Sequence, residues 1–288
     1  MSEFRPRRSV LYMPAANERA LEKAKSLAAD SIIFDLEDAV APDAKDSARI
    51  AACTATASGD YGRRELTIRC NGLDTPWGAA DLKEISVSTA AAVVVPKVSS
   101  VAYVDQVSAR LDDAGAPDTM TVWAMIETPT AILDVRAIAS HPRVSVLVMG
   151  TNDLAREIRA PLAPGRRALL SHLATALLAA REAGKVILDG VFNDVKDPDG
   201  FREECLQGVE FGFDGKTLIH PGQVEIANLA WAPSPADVDQ ARRIIAAFDQ
   251  AVADGRGVVT VDGRMIENLH VANAQRTLAT AEAIAALD

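Results

Sequence analysis

The chain has 288 residues, with 30 Lys and Arg against 40 Asp and Glu, a net charge of −10 and 49% hydrophobic residues. That composition suits a folded protein with one large core or two small domains, and it excludes a nucleic-acid binder of the generally basic kind, because phosphate contacts need offsetting positive charge. No apolar stretch approaches the roughly 20 residues that cross a bilayer, and the start, MSEFRPRRSV, lacks an apolar signal core, so a cytoplasmic protein with no membrane partner is expected.

In chain order, short β-branched runs recur: SVLYMP (9–14), DSIIFDLED (30–38), ELTIRCN (65–71), AAVVVPK (91–97), TVWAMIE (121–127), SVLVMGTND (145–153), VILDGVF (186–192) and GKTLIHP (215–221). Between them lie Ala- and Leu-rich stretches with helical spacing, such as NERALEKAKSLAA. Runs that are apolar on both faces and alternate with helices imply βαβ units and a parallel sheet. Eight such units predict a (β/α)8 TIM barrel, and no G-x-G-x-x-G turn supports the doubly wound alternative. The barrel is expected over 1–232. Residues 233–288 carry a capped helix, a short strand pair turning at DG and a terminal helix, read as a C-terminal helical lid extension. Cys53, Cys70 and Cys205 have no metal-ligand spacing and cannot all pair, which argues against a disulfide framework.

On a barrel, polar residues at strand ends converge on one mouth. Glu37, Asp38, Arg69, Asn71, Lys97, Glu127, Asp153 and Asp189 are candidates for that position. Glu127 and Asp153 lie one βα unit apart, and two carboxylates without His or thiolate suit a hard ion, Mg²⁺ or Mn²⁺. The competing reading makes them helix caps, Asp153 before LAREI. Arg69 has the forked donor that a substrate carboxylate needs, or it pairs with Glu37 or Asp38. Arg7, Arg8, Arg19, Lys23 and Lys25 form a basic group in which Arg19 and Lys23 share a helix face, either a solvated surface or a site for the phosphates of a nucleotide-like substrate. His220, in LIHP on the last strand, lies either at the mouth or, the favoured reading, in the core with a satisfied hydrogen bond.

The stretches RSVLYMPAANERALEKA, IIFDLEDAVAPDAKDSAR, RCNG, VVVPKV, MIET, VMGTNDLA and GFDGKTLIHPGQ together resemble the citrate lyase β-subunit branch of the HpcH/HpaI aldolase family. The resemblance implies a (β/α)8 barrel with Mg²⁺ on Glu127 and Asp153, a substrate carboxylate on Arg69, and CoA phosphates near the basic segment of Arg19 and Lys23. It also implies that DGRMIENLH belongs to a lid that reaches a neighbouring subunit, with Glu267 where malyl-CoA and citramalyl-CoA lyases have aspartate. A homo-oligomer, trimer or hexamer, follows from such a lid, since stand-alone citrate lyase β-subunits generally lack it. The ENLH variant is most similar to the (3S)-malyl-CoA thioesterase subgroup. Thioester hydrolysis of a malyl-CoA-type substrate is therefore the expected reaction. C–C cleavage of malyl-CoA, β-methylmalyl-CoA or citramalyl-CoA is the alternative, and a CoA-free 2-oxo acid aldolase or a subunit of a citrate lyase complex stands behind it.

Overall fold

Eight parallel strands, β1 (Ser9–Pro14), β2 (Ser31–Asp35), β3 (Glu65–Arg69), β4 (Ala92–Val95), β5 (Thr121–Ile126), β6 (Val144–Met149), β7 (Val186–Asp189) and β8 (Gly215–Leu218), close on themselves in sequence order. The last pairs with the first through Ser9–Lys216, Val10–Thr217 and Leu11–Leu218. The computed structural model describes residues 5–287. This is the expected (β/α)8 barrel, and each strand lies where its β-branched run predicts it.

Between the strands run α1 (Glu18–Ala24), α2 (Lys45–Ala57), α3 (Gly78–Ser86), α4 (Val101–Asp113) and α5 (Pro129–Ser140). They are followed by α6 (Thr151–Glu157), α7 (Leu170–Glu182), α8 (Pro198–Phe211) and α9 (Val224–Trp231). Their starts are written locally. Ser100 and Thr128 cap α4 and α5 by accepting from Tyr103 N–H and Ala131 N–H, and Pro129 fills the first turn of α5, where a missing N–H costs nothing.

The barrel interior is packed with Val10, Ile33, Val94, Trp123, Met125, Val146, Val148 and Leu188. Residues two apart on a strand share a face, so the inward set continues upward from Val10 to Tyr12, from Ile33 to Asp35 and from Met125 to Glu127. A buried strand can therefore finish on a charge: Glu127 is the next inward position of β5, raised to the rim of the core.

By compactness the chain divides into Arg7–Ala230, which holds the barrel, and a second unit that contains Trp231 onward. In the second unit Ser234 caps α10 (Pro235–Ala253) by accepting from Asp237 N–H. The strands β9 (Val259–Val261) and β10 (Arg264–Ile266) pair antiparallel across Asp262 and Gly263, both at positive φ, as a tight hairpin requires. The helix α11 (Asn268–Ala285) follows, and Phe248, Ile266 and Val271 form this unit's own small core.

Candidate active site

A cavity of about 370 Å³ opens at the C-terminal ends of the barrel strands and is lined by Tyr12, Asp35, Asp38, Arg69, Glu127 and Asp153, with Gly150 and Asn152 beside them. Glu127 is buried, and its Oε1 accepts the backbone N–H of Lys97 at 2.7 Å. Gly150 presses on the opposite side, where a Cβ would run into Glu127 Oε2 and Cβ. Burial lifts the Glu127 carboxyl to about 7, the nearby Glu37 charge adds to the rise, and the Lys97 N–H opposes it.

Asp153 shares this cavity, but not as the end of a strand or as a cap. β6 stops at Met149, Gly150 is the N-cap residue, and Asp153 sits in the first turn of α6, paired with Arg156 at 2.6 Å. The glycine ends the strand four residues earlier than its apolar run suggests, and the helix then turns the carboxylate into the mouth.

Arg69 and Asp35 face each other directly in the β2–β3 register, and the guanidinium binds Asp35 through both Nε (2.6 Å) and Nη2 (2.7 Å). Its Nη1 lies 2.7 Å from Glu37 and 3.4 Å from Asp38. The sequence reading of Arg69 as partner to Glu37 and Asp38 omitted Asp35, the first acid of IIFDLED and the strongest contact. Burial pushes the Asp35 carboxyl up, but the Arg69 charge, the Arg69 hydrogen bonds and the backbone N–H groups of Glu37 and Ala39 together hold it below the usual carboxylate range. Glu37 goes the other way, to about 7, because burial exceeds the help it receives from Arg69. The Nε edge of the fork is thus taken, and the Nη1 side is what a ligand can share.

Lys45, which no sequence motif singles out, braces this corner. Its ammonium donates to the carbonyls of Leu36 (2.7 Å) and Glu37 (2.8 Å) and to Asn71 Oδ1 (2.7 Å). Asn71 in turn donates from its backbone and side chain to Asp81. Asn71 is thereby a strut under the site and not part of its lining.

Other candidates fall elsewhere. Asp189 is fully buried and bound to Arg166 (2.6 Å) and Lys216 (2.8 Å), both of which also reach Glu204. Arg7 and Arg8 pair with Glu65 and Asp30 at the N-terminal ends of the strands, and Lys25 pairs with Glu22 and Asp60. Arg19 and Lys23 remain on an exposed face of α1 beside a shallow depression. The Lys97 ammonium is exposed, 3.8 Å from Glu37. His220 is exposed as well, its Nδ1 accepting from Gly222 N–H, which corrects the expectation of a core histidine: it caps a 3-10 turn (Pro221–Gln223). Glu267 is exposed in the second unit, preceding α11, with its backbone N–H donating to His270.

The model of the HpcH/HpaI aldolase/citrate lyase family matches residues 8–221. The chain belongs to that family. A (3S)-malyl-CoA thioesterase of Cereibacter sphaeroides is 52% identical over 281 residues, covering 98% of this chain and 96% of that one. The citrate lyase β subunit of Leuconostoc mesenteroides is 34% identical over 289 residues, covering 98% and 96%. Among solved structures, CitE of Mycobacterium tuberculosis in complex with magnesium, acetoacetate and coenzyme A aligns with a TM-score of 0.78 at 28% identity, over 96% of this chain and 98% of that one. The match to the citrate lyase β subunit takes in the tail, so the mere presence of a tail does not separate the two branches of the family as the sequence reading supposed.

The site fits the ion bound by that relative. Five carboxylates gather at the mouth (Asp35, Glu37, Asp38, Glu127, Asp153), against the cations Arg69, Lys97 and Arg156, which leaves negative charge in excess. No group of three or more His, Cys, Asp or Glu is arranged to hold a metal among the described residues. Two carboxylates with open positions for water and substrate oxygens are what Mg²⁺ favours over a full protein cage.

Proposed function

We propose that this protein is a Mg²⁺-dependent hydrolase of (3S)-malyl-CoA or a close 3-hydroxyacyl-CoA relative. The observation that carries the reading is the 52% identity to a (3S)-malyl-CoA thioesterase along nearly the whole of both chains. The cavity holding Glu127, Asp153 and Arg69 supplies the groups such chemistry needs.

In this reading Glu127 and Asp153 hold the ion, Glu127 with one oxygen already fixed by Lys97 N–H. A bound Mg²⁺ supplies Lewis acidity, polarising an oxygen of the acyl group. Arg69, braced by Asp35, presents its Nη1 side to the free carboxylate of the acyl chain, displacing its contact with Glu37. Asp35 stands behind it and keeps the guanidinium in one plane through Nε and Nη2, with the displaced Glu37 beside it and Asp38 at the rim. Arg19 and Lys23 meet the phosphates of CoA. Glu267 directs water at the thioester carbonyl from a neighbouring subunit's extension (233–288), in a homo-oligomer such as a trimer or hexamer. Glutamate extends the carboxylate one methylene beyond aspartate, and a misplacement of about 1 Å costs ~10²-fold in rate, enough to favour one reaction over another.

C–C cleavage is the second reading, favoured by the 34% identity to citrate lyase β subunits. An assay with (3S)-malyl-CoA and Mg²⁺ that follows free thiol and glyoxylate separately decides between them. Thiol release without glyoxylate is the expected result. Glyoxylate with intact acetyl-CoA overturns hydrolysis in favour of the lyase. Glu267→Asp is expected to shift the ratio of the two activities, and an unchanged ratio removes Glu267 from the mechanism.

A further inference from the structure

Two amides close one side of the cavity. Asn152, in the first turn of α6, and Asn193, in the segment between β7 and α8, both line it. Each donates to the other: Asn152 Nδ2 to Asn193 Oδ1 at 3.0 Å, and Asn193 Nδ2 to Asn152 Oδ1 at 2.8 Å. The pair is exposed at the rim, where water can replace either partner, so it adds little to folding stability. What it does is tie two turns together across the mouth.

Behind the pair lies a second cavity, of about 470 Å³. Thr151, Val191 and Asn193 line both cavities and so form the wall between them. Thr151 is a fixed part of that wall, because it presses on Gly190, where a Cβ would run into its Oγ1 and Cγ2. The amide pair is the part held only by side-chain hydrogen bonds. On its far side the second cavity offers Leu162, Ala163 and Phe192. Arg166, the cation in this lining, is taken up by Asp189 and Gln207, and Asp194, Asp197 and Glu203 add negative charge. The room therefore suits an alkyl group and repels a second carboxylate.

We infer that the Asn152–Asn193 pair is a specificity-determining partition. Closed, it confines the acyl pocket and excludes substrates with an alkyl branch on the hydroxyl-bearing carbon; opened, it lends the second cavity to that branch. This rests on the proposed function. With the free carboxylate on Arg69 and the hydroxyl end between Glu127 and Asp153, the hydroxyl-bearing carbon is the part of the acyl chain that comes up to Asn152, the neighbour of Asp153.

The test is Asn193→Ala, which removes both bonds and leaves Asn152 and Asp153 in place. Consumption of the thioester, which counts hydrolysis and C–C cleavage alike, is measured for (3S)-malyl-CoA and for its homologue with an ethyl group on the hydroxyl-bearing carbon. One methylene gained or lost in an apolar pocket changes kcat/KM by roughly 10–200-fold. Wild type is expected to disfavour the ethyl homologue by ~10-fold or more, and Asn193→Ala to raise the ratio of ethyl to parent substrate by ~10–100-fold. Adding Ala163→Phe, at a position that lines the second cavity and not the first, is expected to cancel that gain, which a merely loosened turn would keep. Wild type that consumes both thioesters equally well, a ratio unchanged in Asn193→Ala, or a gain that survives Ala163→Phe overturns the inference alone. Wild type that consumes neither thioester overturns the proposed function, and the inference with it.

Discussion

Lys97 and Glu127 are joined by a backbone N–H to carboxylate bond of 2.7 Å, and Lys97 holds a left-handed φ of 50° at that point. One oxygen of Glu127 is thus fixed by the turn after β4, while Gly150 from the turn after β6 closes against the other. Three consecutive strands cooperate to set one carboxylate, and the space allowed to it is that of a glycine hydrogen.

Gly150→Ala tests this clamp. Its methyl group must displace the Glu127 carboxylate, since the collision is with Oε2 and with Cβ itself. A shift of about 1 Å at a reacting centre costs ~10²-fold in kcat/KM. The expected outcome is a loss of that order together with a higher Mg²⁺ concentration for half-activation, measured by titrating the metal into EDTA-treated enzyme. A variant that needs no more Mg²⁺ than wild type separates Gly150 from the metal site.

Removing the metal or either of its proposed ligands makes a sharper prediction. EDTA is expected to abolish turnover and added Mg²⁺ to restore it. Glu127→Gln and Asp153→Asn are each expected to lose ~10³-fold or more, because polarisation by the ion is worth several kcal/mol. If Asp153→Asn keeps wild-type Mg²⁺ dependence, Asp153 serves Arg156 and α6 and not the ion.

The barrel and most of its mouth are readable in the sequence because they follow local rules. Strand runs apolar on both faces mark parallel strands, and Glu127, Arg69 and Asp38 stand where a strand or its first following residues meet the rim. What the sequence hides is whatever depends on pairing across the fold. Asp35 looks like one more buried strand residue until the β2–β3 register sets it against Arg69, 34 residues away. Lys45 opens α2 with nothing in its local sequence to mark it, yet its ammonium ends on two carbonyls and Asn71. Asp189 has the same strand-end signature as Glu127, but Lys216 and Arg166 reach it first and take it out of the mouth. Periodicity fixes which face a side chain points to, and says nothing of which charge waits there.

Arg69→Lys is expected to be severe despite keeping the charge. An ammonium cannot reproduce the two parallel bonds to Asp35 and the contact with Glu37 at once. Steady-state kinetics should show kcat/KM lower by ~10²-fold or more, with KM for a dicarboxylic acyl group raised. A simple acyl-CoA that lacks the free carboxylate should bind both forms equally. Unequal binding would place the role of Arg69 in holding the mouth together and not in meeting the substrate.

The buried group of Asp189, Lys216, Arg166 and Glu204 is expected to govern stability and its pH dependence. Lys216 and Asp189 have no exposed surface, so Lys216→Met leaves a buried carboxylate with one partner fewer and should cost about 3–5 kcal/mol in urea unfolding. Burial pushes the Asp189 carboxyl up, but Lys216 and Arg166 together hold it below its ordinary value. A carboxyl depressed in the folded state binds its proton more readily unfolded. Its contribution is therefore full above the unfolded pKa of about 4 and lost as pH falls through the lower folded value. Asp189→Asn should be less stable than wild type at neutral pH, and the gap should narrow below about pH 4 as the wild-type carboxyl is forced to protonate. A gap that stays constant down to acid unfolding would mean that the charge of Asp189 contributes nothing, and that asparagine costs stability only through hydrogen bonds it fails to make.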